Sequence, residues 1–384
     1  MRNFCFVLFI FSALFVVYTL FGYPVFLALL ARLADKPVRK EPGARTVSIL
    51  IPIRNGAQFV RAKLESVLRL TYPRNLLEIL VISDGSEDRT DEFVREFAAQ
   101  GVQLLCLPRG GKAAALNAGM SRVHGEIILF TDVRQQLHPE SLSRLVSCFA
   151  DPTVGVVSGE LIILEGETRE EADVGLYWRY ETWIRKQLSR IDSTFGATGP
   201  FYAMRRELTA PIPPDILLDD VYLPITAFFS GYRLIVEPTA MAFDYPTSLH
   251  SEFLRKVRTL AGNYQIIRHC PGLLGPSNRM WIHFISYKLA RLVLPYAFLI
   301  LALSSFGLPH QWRNPALLGQ VFFYGIGALD PWIPKGWAIK RASSMVRTLI
   351  VLMAAAACAV SVFFVSPRTL WKQTQVKAAK PHSP

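Results

Sequence analysis

The chain has 384 residues, enough for one large domain or two modest ones. Hydrophobic residues make up 51% of it and the formal net charge is +12. The basic residues are dispersed and no helix carries a basic stripe, which argues against nucleic acid and for anionic lipid headgroups and phosphates as partners.

Taken in chain order, residues 4–30 are almost wholly apolar and uncharged, long enough to span a bilayer. A cleaved signal peptide has a shorter apolar core and a small-residue cleavage site, so this segment reads as a retained signal-anchor. Arg32, Lys36, Arg39, Lys40 and Arg45 follow it, and only Arg2 precedes it. The positive-inside rule then predicts an outside N-terminus and a cytoplasmic domain, at the inner (plasma) membrane of a multi-pass protein. The five cysteines form no CxxC pair, which implies neither a disulfide framework nor a zinc site and fits a reducing compartment.

After a polar linker over residues 35–45 a regular alternation begins. VSILIPI predicts a strand over 47–53, and helical spacing follows over 58–70. A second strand is expected over 77–83, then a helix capped by Ser86, with Glu87 and Asp88 in its first turn, ending near Gly101. VQLLCL is a third strand, residues 111–123 a small-residue helix, and EIILF a fourth strand over 126–130. Strand and helix in strict alternation predict an α/β fold with a mostly parallel sheet, and the unbroken apolar runs predict helices on both faces.

From about Asp151 the pattern changes. VGVVSGELII reads as a strand or hairpin, residues 176–188 as a helix rich in Trp, Tyr and Arg, and YRLIVEP as another strand. GATGPFYAMRR, over 196–206, is Gly-rich and then basic. Three more apolar segments follow, over 292–307, 317–332 and 349–365. Lys288 and Arg291 would snorkel to the interface before the first of these. The second, with three glycines, is the weakest and is a candidate to lie flat or re-enter. Basic residues flank the last segment on both sides, so charge does not place the C-terminus.

Three acidic stations stand out. Asp84 in ILVISDGS and Asp132 in IILFTDVR each follow an apolar run of strand length, and LLDDVYL carries the adjacent pair Asp219 and Asp220. Ligands of an open parallel sheet bind beyond the carboxyl ends of its strands, so acids placed there face the ligand crevice. The pattern suggests a charged nucleotide substrate and a proton transfer. The apolar segments suggest a second substrate or product that is lipid-linked or crosses a bilayer.

These motifs, in this order, resemble a membrane-bound family 2 glycosyltransferase with a GT-A fold, of the kind that includes cellulose, chitin and hyaluronan synthases. The resemblance covers roughly residues 47–264. It implies a Rossmann-like, mostly parallel sheet domain with N-terminal and C-terminal transmembrane helices. The corresponding organisation is an anchor over 1–34, a GT-A domain over 45–265, and interface helices with a C-terminal membrane region over 266–384.

Residue by residue, VISDGSEDRT resembles the motif whose Asp contacts the nucleotide, which carries to Asp84. GGKAAALNAG resembles the Lys-Ala-x-x-Leu-Asn segment near the diphosphate, which carries to Lys112 and Asn117. A Walker A loop is excluded by spacing. FTDVRQ resembles the DxD region that holds a divalent metal, with Asp132 as ligand to Mg²⁺ or Mn²⁺. Arg134 replaces the second Asp, leaving open whether it contacts phosphate or pairs with a neighbouring acid.

LLDDV resembles the Thr-Glu-Asp motif, with Asp219 at the Glu position and Asp220 as general base; a helix-start Asp pair is the plainer alternative. FLRKVRTLAGN resembles the Gln-x-x-Arg-Trp motif, with Arg258 at the Arg expected to bind diphosphate, Arg255 at the Gln and Thr259 at the Trp. For Arg255, Lys256 and Arg258 a lipid-headgroup contact is equally open. YWRYETWIRK, over 177–186, is expected near the acceptor or the membrane surface, or in the core.

The resemblance implies an inverting hexosyltransferase using a nucleotide sugar, expected as a UDP-sugar. It would act on a lipid-linked or growing glycan acceptor in polysaccharide or glycolipid synthesis. The absent Trp weighs against long processive polymers. The rival from another class is a non-catalytic, membrane-tethered nucleotide-binding protein.

Overall fold

The computed structural model describes residues 2–164, 169–245, 249–334, 336–366 and 369. The chain divides into two compact units. One gathers Leu33–Leu164 and Arg185–Pro246, and the other gathers Met1–Arg32, Glu165–Ile184 and Thr247–Pro384.

The first-named unit is built on an eight-stranded sheet. Its strands are β1 (Val47–Ile53), β2 (Leu77–Asp84), β3 (Val102–Leu107), β4 (Ile127–Thr131), β5 (Gln136–Leu137), β6 (Val154–Ile163), β7 (Phe201–Arg205) and β8 (Arg233–Asp244). They lie in the order β3-β2-β1-β4-β7-β6-β8-β5. The pairs β1–β2, β1–β4, β2–β3 and β6–β8 are parallel, and β4–β7, β6–β7 and β5–β8 are antiparallel. The expected mostly parallel α/β sheet is therefore present. The chain turns outward from β1 in both directions, to β2 on one side and β4 on the other, which is a topological switch point.

The strands form where apolar residues run consecutively. Ile49, Leu50 and Ile51 in β1 and Ile128 and Leu129 in β4 are fully buried. Consecutive burial means that both sheet faces are covered. Each such side chain contributes about 1.5–3 kcal/mol.

Local departures from expectation have physical causes. Ser86 does not cap a helix; the helix starts at Thr90, and the Asp88 carboxylate accepts from the amides of Thr90 and Ala57 instead, both at 3.1 Å. VGVVSGELII is one strand, β6, not a hairpin. β7 was hidden in the Gly-rich segment because only four apolar residues follow Gly199-Pro200. It forms because it closes the gap between β4 and β6, antiparallel to both, with the Tyr202 ring stacked on Phe130 at 4.7 Å.

Among the described residues, the second unit contains three helices long and apolar enough to cross a membrane, Arg2–Leu33, Trp281–Ser305 and Ile339–Phe363. The segment expected over 292–307 starts earlier, at Trp281, because its polar first turns are buried by partners. Tyr23 meets His283 Nδ1 at 3.2 Å and Tyr18 meets Ser286 at 2.7 Å. The latter bond joins two π-helical turns, Tyr18–Gly22 and Ile285–Leu289. The weak segment over 317–332 falls in the helix His310–Leu329 and its continuation, which is not among the three.

Asp330 ties this region together by accepting from Lys340, Ser343 and Ser344. The aromatic–basic segment belongs to a longer helix, Arg169–Ile191. Its Glu181 is partly buried against Arg291 and Tyr287, and Arg291, Lys288 and Tyr287 outweigh burial to hold its carboxyl well below the usual range.

Candidate active site

Asp84 is the last residue of β2. Its carboxylate is buried and accepts from the backbone amides of Gly110 at 2.6 Å and Gly111 at 3.0 Å. It thus anchors the turn after β3. Gly111 has φ +90°, a conformation open to glycine, and the next residue, Lys112, opens the helix Lys112–Met120. A carboxylate at a strand end therefore sets where the Lys112 side chain starts.

Lys112 Nζ lies 3.1 Å from Asp132 Oδ1 and 3.2 Å from Asp219 Oδ2. Asp132 follows β4, and Asp219 and Asp220 are the first two residues of the helix Asp219–Phe229. Burial works against the Lys112 charge, but Asp132, Asp219 and Asp220 together outweigh it and hold the ammonium well above its ordinary pKa. Three carboxylates and one ammonium leave the cluster net negative. Asp132 keeps 38% of its side chain exposed while Asp219 keeps 11%, so the cluster is open from the Asp132 side.

Asp220 is packed against the glycine loop before β7. A Cβ on Gly199 would come within 2.6 Å of Asp220 Oδ2, so only glycine lets the carboxylate sit there. The Ala197 amide donates to the Asp220 carbonyl at 2.8 Å. Arg185 braces the same loop by donating to Thr198 Oγ1 at 2.8 Å, Ser158 Oγ at 2.9 Å and the Gly196 carbonyl at 3.2 Å. Asn117 exchanges two bonds with the Ile212 backbone, at 2.8 and 2.9 Å, which ties the Lys112 helix to the segment that precedes the Asp pair in sequence.

Arg134 forms a two-pronged pair with Asp244, at 2.8 and 2.5 Å, and Gln135 donates to the same carboxylate at 2.8 Å. The Tyr245 amide donates to it at 2.8 Å. Of the two openings for Arg134, the structure holds the pairing with an acid. Arg255 and Arg258 lie on the helix Leu249–His269 of the other unit, each partly buried.

Two neighbours of the cluster had no motif to announce them. Lys63 is fully buried and donates to Thr131 Oγ1 at 2.6 Å and the Gln135 carbonyl at 2.7 Å, bridging the turn that carries Asp132. Burial pushes its pKa down to about 7, against the nearby Asp132 charge. Helical spacing places it three residues after Val60 and four before Val67, both fully buried, so the periodicity alone marks it as an inward lysine. Tyr202 is fully buried and its hydroxyl has no hydrogen-bond partner. Burial and then the charges of Asp219, Asp220 and Asp132 raise its pKa far above the ordinary value.

Among the described residues no three His, Cys, Asp or Glu side chains gather into a metal cage. Asp132 and Asp219 do converge on one cation, the Lys112 ammonium. A hard dication that uses one or two carboxylates and completes its shell from phosphate oxygens and water fits this donor set.

Comparison with known proteins bears on the family and the fold. The family model described as Glycosyl transferase family 2 matches residues 48–211. Glycosyltransferase AglE of Haloferax volcanii is 32% identical over 220 residues, 55% of this chain and 70% of that protein. The probable glycosyltransferase YdaM of Bacillus subtilis is 25% identical over 237 residues, 58% of this chain and 56% of that one. A solved structure, mannosyltransferase PcManGT from Pyrobaculum calidifontis in complex with GDP-Man and Mn²⁺, matches with a TM-score of 0.71. That match covers 93% of this chain and 99% of the other at 22% identity, a likeness of fold.

Proposed function

The chain belongs to glycosyl transferase family 2, and we propose that it transfers a sugar with inversion from a nucleotide sugar to a hydroxyl acceptor at the cytoplasmic face of a membrane. That it is a glycosyltransferase with a nucleotide-sugar donor follows from the family. The observation that carries the finer reading is the convergence of Asp132 and Asp219 on Lys112, with Asp220 beside them.

In this reading Asp220 takes the proton of the acceptor hydroxyl as its oxygen attacks the anomeric carbon, while the bond to the diphosphate breaks. Mg²⁺ or Mn²⁺ would be held by Asp132 and Asp219 together with diphosphate oxygens, and would supply charge neutralisation to the leaving group. Asp219 supplies the second carboxylate that Arg134 lacks. Arg134 acts by holding the Asp132 turn against Asp244. Asp84 sets the start of the Lys112 helix and Asn117 ties that helix to the segment before the Asp pair, so their effect on the nucleotide runs through Lys112 and Asp219. Arg258 keeps the diphosphate role that the motif resemblance implies, and Arg255 stays a substrate-binding candidate at the Gln position.

The donor is a UDP- or GDP-sugar: a UDP-sugar was expected, and the PcManGT structure holds GDP-Man. Thr259 at the position of the acceptor-stacking Trp favours addition of one sugar to a lipid acceptor over a long polymer. The three apolar helices support an acceptor and lipids at the membrane. The test is a screen of nucleoside diphosphate release by the full chain in detergent, across UDP- and GDP-sugars, with and without a lipid extract. Release that depends on the extract is the expected result. Absence of release with every donor would overturn the reading.

A further inference from the structure

Lys112 occupies the space between the two oxygens that would hold the cation. Its ammonium sits 3.1 Å from Asp132 Oδ1 and 3.2 Å from Asp219 Oδ2. An ammonium and a dication cannot share that space, for reasons of both size and charge. Exchange of the ammonium for a dication brings the three carboxylates from two net negative charges to one, so the acids favour the dication.

A second observation concerns Tyr202, whose strand pairs with β4 just before Asp132. The Tyr202 hydroxyl is fully buried, has no hydrogen-bond partner, and feels the charges of Asp219, Asp220 and Asp132. A buried hydroxyl without a partner is costly, and beside these acids a polar ligand would relieve that cost.

From this placement we propose that Lys112 is an exchangeable counter-ion. Without nucleotide it fills the cation site between Asp132 and Asp219, and on donor binding it yields that site to the dication and moves to the diphosphate. The proposal rests on the glycosyltransferase reading above and deepens it. The free enzyme then binds metal weakly, and metal and nucleotide bind best together. Asp84 matters here as a positioning residue, because its hold on Gly110 and Gly111 sets the root of the side chain that must swing.

The experiment is a Mn²⁺ titration followed by electron paramagnetic resonance, on the full chain in detergent and without nucleotide. Lys112→Met should tighten nucleotide-free Mn²⁺ binding by about 10-fold or more over wild type. Lys112→Arg, which keeps the charge, should show little of that gain. Asp132→Asn added to Lys112→Met should abolish it. A parallel titration with UDP and GDP measures nucleotide binding by wild type.

If wild type binds a nucleoside diphosphate but Lys112→Met binds Mn²⁺ no more tightly than wild type, the exchange is overturned and the glycosyltransferase reading stands. If wild type binds neither nucleotide, both fall. Lys112→Gln, checked for an unchanged thermal melt, repeats the test should Lys112→Met misfold.

Discussion

Lys63 is fully buried and Lys112 partly buried, both reach the segment from Thr131 to Gln135, and they are driven in opposite directions. Lys63 has only a hydroxyl and a carbonyl to donate to, and burial pushes it down to about 7. Lys112 has three carboxylates, and they hold it well above its ordinary value despite burial. Carboxylate partners keep a lysine charged, and burial with only neutral acceptors lets it lose its proton more readily. Lys63 holds the turn that carries Asp132, and Lys112 sits between Asp132 and Asp219.

The largest effect that would break this contrast is the pH dependence of stability at Lys63. Below about pH 7 folded and unfolded chains both carry its proton, whereas between about 7 and 10.5 only the unfolded chain does. The unfolded chain binds more protons in that window, so stability should rise with pH across it, by up to about 5 kcal/mol. Denaturant unfolding of wild type and Lys63→Met, from pH 7 to 10, checks this. A rise of equal size in both proteins would show that Lys63 is not its source.

Next in size is the Arg134–Asp244 pair, which is buried and charge-balanced where the Lys112 cluster is neither. Asp244→Ala leaves a largely buried guanidinium without its partner and should cost about 3–5 kcal/mol in a thermal or chemical melt. Arg134→Met with Asp244→Leu should recover much of the loss. A single variant as stable as wild type would move Arg134 back towards phosphate contact.

Lys112→Met should lose less in the melt than Asp244→Ala, because Asp132 keeps 38% of its side chain exposed, but should lower kcat/KM by about 10²–10³-fold, the usual range for one lost electrostatic contact. A melt that collapsed with activity per folded molecule preserved would make Lys112 structural. The smallest test spares both lysines. Gly199→Ala crowds Asp220 and should cost about 1–3 kcal/mol of overpacking, seen as a modest drop in the melt and in turnover.

Much of this was legible beforehand where one residue type does one job. The apolar runs that became β1, β2, β3 and β4 are long and consecutive, and the acids behind β2 and β4 sit where parallel topology puts ligands. LLDDVYL read as a site from its adjacent acids, and it does open a helix with Asp219 turned to Lys112. Long-range pairings were not legible. Nothing local to FTDVRQ says that Arg134 will find Asp244, 110 residues on, and nothing local to FYAMR says that it will fill a gap between two strands. Asn117 sat in a motif that pointed to the nucleotide, yet its amide bonds the backbone at Ile212.

The account rests most heavily on Asp220 as the base beside a nucleotide site that does not need it for binding. The direct measurement is acceptor-dependent release of nucleoside diphosphate by Asp220→Asn, with nucleotide affinity measured on the same preparation. The prediction is a loss of turnover of about 10²–10⁴-fold with nucleotide affinity close to wild type. Turnover near wild type in that variant would contradict it.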